Sequence, residues 1–204
     1  MLIFNNFKLI STAKLVIQIE ELKIVPGAFI YIKGGSSSGK SLLLSAINGS
    51  YSNYKGVITF KDKKLKPDAT HNNILLINNE LHVIENMTFL QNIEIPIMKN
   101  SPIVKKRLIE MAGIVEIIDL FNVKMVNCSR SEKMLMYLIR AALVDPYVLL
   151  IDDFDTFFDS EKLKNVQKLL AYFLSTGMSI IATGKLAMEH TITYKINKGF
   201  LEQV

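Results

Sequence analysis

Gly34-Gly35-Ser36-Ser37-Ser38-Gly39-Lys40-Ser41 matches the pattern G-x-x-x-x-G-K-[ST], and each residue type in it suits a polyphosphate ligand. Glycine and serine keep a loop small, so that backbone N–H groups can turn inward around phosphate oxygens. Lys40 supplies a point charge to the β and γ oxygens, and Ser41 offers a hydroxyl to Mg²⁺. At average residue usage a chain of this length meets the pattern by accident roughly 1% of the time. A second group is Asp152-Asp153, which follows the apolar run Tyr147 to Ile151. Phosphoryl transfer needs a metal to neutralise developing charge and a group to orient water, and these two acids are the candidates for the two tasks. Their plain alternative is a polar strand end at the rim of a sheet. A third group is Ser129-Arg130-Ser131-Glu132, an S-x-x-E capping box in front of an apolar run.

These groups need elements to hold them. Phe29 to Ile32 is a short apolar, β-rich run that reads as a buried strand, and Leu42 to Ile47 reads as a helix stopped by Asn48-Gly49. That helix would point its positive end at the bound anion. Upstream, residues 2–10 and 15–20 read as two strands, and Pro26-Gly27 marks the turn into the next. Gly56 to Phe60 and Asn73 to Ile77 are further strands, the latter running into Asn78-Asn79-Glu80. From Met87 to about Val126 the pattern turns helical, with Val104, Leu108, Met111 and Val115 on one face and Gly113 ending or interrupting that helix. A capped helix over Met134 to Val144 stops at Asp145-Pro146 and leads to the strand before Asp152. Ser160 is positioned to cap another helix, whose Leu163, Val166, Leu170 and Phe173 share a face before Gly177. Strands over Met178 to Thr183 and Thr191 to Ile196 follow, with a turn at Asn197-Lys198-Gly199. Strands alternating with helices argue for an α/β fold with a mainly parallel central sheet.

The 204 residues suit a single domain with a small helical insertion, and half of them are hydrophobic, enough for a real core. No run approaches the roughly 20 apolar residues of a membrane span. The opening Met1-Leu2-Ile3-Phe4-Asn5-Asn6 lacks the basic and apolar regions of a signal peptide, so a cytosolic protein is expected. A lone cysteine, Cys128, agrees with a reducing compartment, and His71, His82 and His190 have no metal-ligand spacing. The net charge of +5 gathers at Lys61, Lys63, Lys64 and Lys66 around an expected hairpin turn. Without interleaved aromatic residues this cluster reads as a solvated turn, and nucleic acid is not an expected partner.

The order of parts resembles the nucleotide-binding domain of ABC-type ATPases, across nearly the whole chain. A phosphate loop is followed by a strand ending in an amide, a helical insertion, a capped helix, and a strand ending in two acids. The short length and the stretch Thr88-Phe89-Leu90-Gln91-Asn92-Ile93 look most like the FtsE, LolD and MacB group. The resemblance implies a P-loop NTPase with an N-terminal antiparallel β part and a helical subdomain at about 87–130. It implies ATP and Mg²⁺ as ligands, a homodimer or heterodimer of such domains, and an integral-membrane permease or FtsX-like subunit as partner, at the inner face of the cell membrane. Lys40 and Ser41 match the Walker A lysine and Mg²⁺ hydroxyl, Asp152 the Walker B aspartate, and Asp159 the aspartate closing the D-loop. Ser129 and Glu132 match the first serine and the acid of the signature motif, which reaches across the dimer to the partner's γ-phosphate.

Four departures stand against this pattern. The signature reads Cys128-Ser129-Arg130-Ser131-Glu132 with both family glycines replaced, and the Arg130 guanidinium could take over the role of backbone amides at a partner's γ-phosphate. The catalytic glutamate is Asp153, whose carboxylate reaches about 1.5 Å less far, a displacement that can cost on the order of 10²-fold in rate. The Q-loop glutamine, a γ-phosphate and Mg²⁺ contact, is Asn79, with Asn78 as the alternative alignment. The switch histidine is Gly184, and His190 lies six residues further on. No aromatic residue for stacking on adenine is evident, Phe7 being the nearest. The expectation is an ABC-type ATPase of weak turnover, the alternatives being a hydrolysis-deficient ATP clamp and an unrelated P-loop kinase or GTPase. The last is disfavoured by the lack of a guanine-reading N-K-x-D motif. The apolar, methionine-rich face of residues 87–126, which includes Met87, Met98, Met111 and Met125, reads mostly as core, while in the resembled families this subdomain docks the coupling helix of a membrane partner, a groove that adaptable thioethers suit.

Overall fold

A computed structural model describes residues 1–12, 14–69, 71–78, 80–97, 101–184 and 191–204. Among the described residues the strands join in one mixed sheet of ten, in the order β5 (Lys63–Lys64), β4 (Tyr54–Phe60), β1 (Leu2–Ser11), β2 (Lys14–Ile24), β10 (Phe200–Gln203), β9 (Ile192–Asn197), β3 (Phe29–Lys33), β8 (Ser179–Gly184), β7 (Val148–Ile151) and β6 (Ile74–Ile77). The antiparallel part comes first. Strands β1 (Leu2–Ser11) and β2 (Lys14–Ile24) form a hairpin, β4 (Tyr54–Phe60) pairs with the other side of β1, and β5 (Lys63–Lys64) closes that edge. The parallel part is β6 (Ile74–Ile77), β7 (Val148–Ile151), β8 (Ser179–Gly184), β3 (Phe29–Lys33) and β9 (Ile192–Asn197). Every residue of β7 and β8 is buried, as parallel strands covered on both faces require, and this is why they read as unbroken apolar runs. The unanticipated strand β10 (Phe200–Gln203) folds back on β9 through Lys198 and Gly199, both at positive φ, and meets β2 at Phe200 opposite Gln18. That contact joins the two parts.

Two apolar cores flank the sheet. Helix α1 (Lys40–Asn48) buries Leu43, Leu44 and Ile47 with β1, β2 and alternate residues of the central strands. The other face carries α2 (Phe89–Glu94), α3 (Pro102–Ile114), α4 (Arg130–Val144) and α5 (Ser160–Ser175). Arg140 of α4 donates to the Asn92 carbonyl at 2.7 Å, while the buried Asn92 side chain bonds the backbone of Ile84 and Thr88. These bonds fasten the helical segment to α4 and pair backbone groups of Ile84, Thr88 and Asn92. Gly113 neither interrupts nor ends α3 but lies in its last turn, one residue before the helix stops at Ile114.

Two expectations are corrected. Ser160 does not cap α5; Asp159 does, its carboxylate accepting the Lys162 N–H at 2.9 Å, which places Ser160 inside the first turn. Phe7 is not an adenine-stacking residue, because it is fully buried between the rings of Phe4 and Tyr54. The register of β1 against β4 shifts between Asn5 and Lys8, with Asn6 at φ 47. This bulge switches the inward positions from Leu2 and Phe4 to Phe7 and Leu9. The lysine cluster does lie around a β4–β5 turn, and Lys61 places its ammonium 3.0 Å from the ring centre of Tyr147. No helix among the described residues is long and apolar enough to cross a membrane.

Candidate functional site: a phosphate cradle at the strand ends

The loop between β3 and α1 wraps one wall of a cleft of about 390 Å³, lined by Ser36 to Leu42, Ser11, Val16 and Asp153. Small residues here are a steric requirement. A Cβ on Gly34 would stand 2.6 Å from the Ser38 hydroxyl, and one on Gly39, at φ 93, would stand 2.4 Å from Val16 Cγ1. Gly39 is the N-cap of α1 and provides no side-chain cap, so the first amides of the helix are left to the cleft. Lys40 is 6% exposed, and its ammonium donates to the carbonyls of Gly34 and Gly35, both at 2.9 Å. The loop is thereby folded around the cation that would meet a polyphosphate.

Of the two acids, Asp153 lines the same cleft. β8 lies between β7 and β3 and runs parallel to both, so the C-terminal end of β7 emerges one strand away from the loop after β3. Asp152 is 6% exposed and accepts a 2.6 Å hydrogen bond from the Thr183 hydroxyl of β8. The same Thr183 oxygen accepts the Asp153 N–H at 2.9 Å, so one side chain sets both acids against the neighbouring strand. Asp153 adopts the left-handed conformation, φ 47 and ψ 45, as it leads into a 3₁₀ turn over Phe154–Thr156. That backbone turns Asp153 into the cleft, while Asp152 stays behind it. The Ser41 hydroxyl and these carboxylates are hard oxygen donors of the kind that, with phosphate oxygens and water, hold Mg²⁺. The donor set fits that ion, and the glycine-lined cradle fits a polyphosphate.

Of the residues singled out from sequence, Gly34, Gly35, Ser36, Ser37, Ser38, Gly39, Lys40, Ser41 and Asp153 come together here. Asn79 and His190 lie outside the described residues, as does Met98; Asn78 is exposed just past β6. Ser129 stands apart from the cleft as the N-cap of α4, in the expected capping box. Its N–H donates to Glu132 at 2.6 Å, and its hydroxyl accepts the Glu132 N–H at 3.3 Å. Arg130 rests its guanidinium 4.8 Å from the ring centre of Phe157, and Lys162 donates to Ser131 at 3.2 Å, which fixes the start of α4 to the segment after β7. Sequence reasoning missed Ser11, Val16 and Thr183. Val16 and Ser11 reach the cleft only because the β1–β2 hairpin folds over it. Thr183 was discoverable as the residue at the end of the strand beside the two acids.

The model of the ABC transporter family matches residues 18–155. The chain is 28% identical over 158 residues to the methionine import ATP-binding protein MetN of Clostridioides difficile, covering 73% of this chain and 49% of that protein. It is 27% identical over 172 residues to the glutamine transport ATP-binding protein GlnQ of Bacillus subtilis, covering 78% and 70% respectively. The chain therefore spans about half the length of the methionine import relative. Its fold is that of cbiO1 from Clostridium perfringens, part of the transporter complex cbiONQ, with a TM-score of 0.83 at 18% identity over 98% of this chain and 86% of the other. A second solved structure, an ATP-binding subunit of an ABC transporter, gives a TM-score of 0.85 at 16% identity, over 98% and 88%. With a family model spanning the phosphate loop, the helical segment and both acids, this chain belongs to the ABC transporter family.

Proposed function

We propose that the chain is the ATP-binding subunit of a transporter, binding MgATP in the cradle and hydrolysing it slowly to drive an integral-membrane permease. The observation that carries this reading is the meeting of Lys40 and the phosphate loop with Asp153 across one cleft. Amides of the loop and of α1 bind the phosphates, and Lys40 exchanges its two carbonyl bonds for phosphate oxygens. Ser41 and Asp152 would hold Mg²⁺, which supplies charge neutralisation on the phosphoryl group. Asn79 is proposed as a further phosphate and metal contact. Asp153 orients the attacking water and accepts its proton, with Thr183 fixing the peptide from which it projects. Ser129, at the head of α4, serves the γ-phosphate of a second ATPase domain, so the working form is a homodimer or heterodimer at the inner face of the cell membrane.

Relatives matched by sequence include proteins named for methionine import and for glutamine transport. This favours a permease over the FtsX-like partner of a cell-division complex, which the Thr88 to Ile93 stretch first suggested. A second reading, an ATP clamp without turnover, draws support from Arg130 and Ser131 in place of the signature glycines and from Gly184 at the switch position. Steady-state ATPase activity and MgATP affinity of wild type, Lys40→Ala and Asp153→Asn separate the two. The expected result is affinity lowered about 100-fold in Lys40→Ala, with turnover lost in both variants. Tight binding that needs Lys40, with no wild-type turnover above the Lys40→Ala background, establishes the clamp. Absence of ATP binding in the wild type sinks both readings.

A further inference from the structure

Position 184, at the end of β8, has no side chain of its own, yet the space in front of it is full. A Cβ placed on Gly184 would stand 1.9 Å from the Tyr31 hydroxyl oxygen and 2.4 Å from Asp155 Oδ1. Tyr31 belongs to β3 and pairs with Ala182, so its ring runs diagonally along the sheet to the residue two places further on. The residue is fully buried, and its hydroxyl oxygen has no hydrogen-bond partner among the described residues. A buried hydroxyl is costly to leave unsatisfied, and the polar group that crowds the same point is a carboxylate in the turn that begins with Asp153.

We propose that the Tyr31 hydroxyl, delivered from β3, stands in for the missing side chain at position 184 and positions the Asp153–Asp155 turn for hydrolysis. The exchange is between neighbouring strands, and the glycine is what makes room for it. Because both oxygens approach one point, a small torsional adjustment brings hydroxyl and carboxylate into hydrogen-bonding distance. Burial, with the charges of Asp155 and then Asp153, pushes the Tyr31 phenol well above its ordinary range. It therefore remains a protonated donor facing the acids. Tyr31 does not line the cleft, so it acts through Asp155 on the backbone that carries Asp153, as a positioning residue. The inference rests on the hydrolytic reading above for its second half only.

The test uses Tyr31→Phe, Gly184→Ala and the double variant in the full chain. Tyr31→Phe removes one oxygen; kcat is expected to fall about ten-fold or more with MgATP affinity changed less than about two-fold. Gly184→Ala forces a methyl group into the hydroxyl and should lower the thermal midpoint by roughly 4–8 °C. Adding Tyr31→Phe should restore more than about half of that loss. An unchanged kcat in Tyr31→Phe overturns the positioning role and leaves the hydrolytic reading standing. Additive thermal shifts overturn the stand-in. Wild-type turnover no higher than in Lys40→Ala removes the hydrolytic reading and the positioning role together, and the thermal coupling still decides whether Tyr31 fills the place of residue 184.

Discussion

Two helices of this molecule start near chemistry, and their first turns are built in opposite ways. At α1 the cap is Gly39 in the left-handed region, without a side-chain bond and without an acid in the first turn. At α4 the cap is Ser129, the first turn carries Glu132, and the two satisfy one another's N–H groups. An open first turn presents bare donors and a positive dipole end to an anion, whereas a capped one has already met both needs internally. Charge follows the same division. Lys40 is folded in beside the open turn, while the Arg130 guanidinium at the capped turn lies against the Phe157 ring. In the proposed function one helix start receives phosphate; the other is held together by its own side chains and would meet phosphate only through a second domain.

The comparison can be broken from either side. The largest effect is expected for Gly39→Ala, which adds a Cβ against Val16 and asks a non-glycine residue to hold φ 93. A destabilisation of about 3 kcal/mol follows from the two costs together, read as a thermal midpoint lowered by roughly 6–12 °C, with a parallel loss of MgATP binding by calorimetry. Ser129→Ala removes the α4 cap and should cost about 1 kcal/mol, a midpoint shift of roughly 2–4 °C, while the monomer's MgATP affinity stays as it was. A fall in that affinity would mean that the capped turn also serves the cleft of its own chain. Arg130→Ala is the smallest, about 0.5–1 kcal/mol from the lost stacking on Phe157. If size-exclusion chromatography with ATP shows dimerisation untouched by it, Arg130 is no finger toward a partner's phosphate.

The legible parts of the site were those written within one short stretch. The phosphate loop, the two acids and the Ser129 box each fit within eight residues and carry a mechanism in their spacing, and the flanking strands showed themselves by unbroken apolar runs. What escaped depended on register or on distant neighbours. Phe7 looked available because alternation along β1 is interrupted by a bulge at Asn6 that no residue type there announces. Tyr31, Asp155 and Gly184 meet through three separate elements, and Gly184 alone read simply as a lost histidine. Lys61 likewise finds its aromatic contact in Tyr147, far along the chain. The cap of α5 was misplaced by one residue, because Asp159 and Ser160 are both good caps and only the backbone distinguishes them.

The left-handed backbone at Asp153 bears on how this site could be tuned. Aspartate is among the few residues that occupy that region with little penalty, since a short polar side chain can bond locally. The residue's brevity and its dihedral angles are therefore one adaptation. Asp153→Glu would lengthen the acid by one carbon while seating a less tolerant side chain on the same bend, so reach and posture cannot be restored by a single exchange.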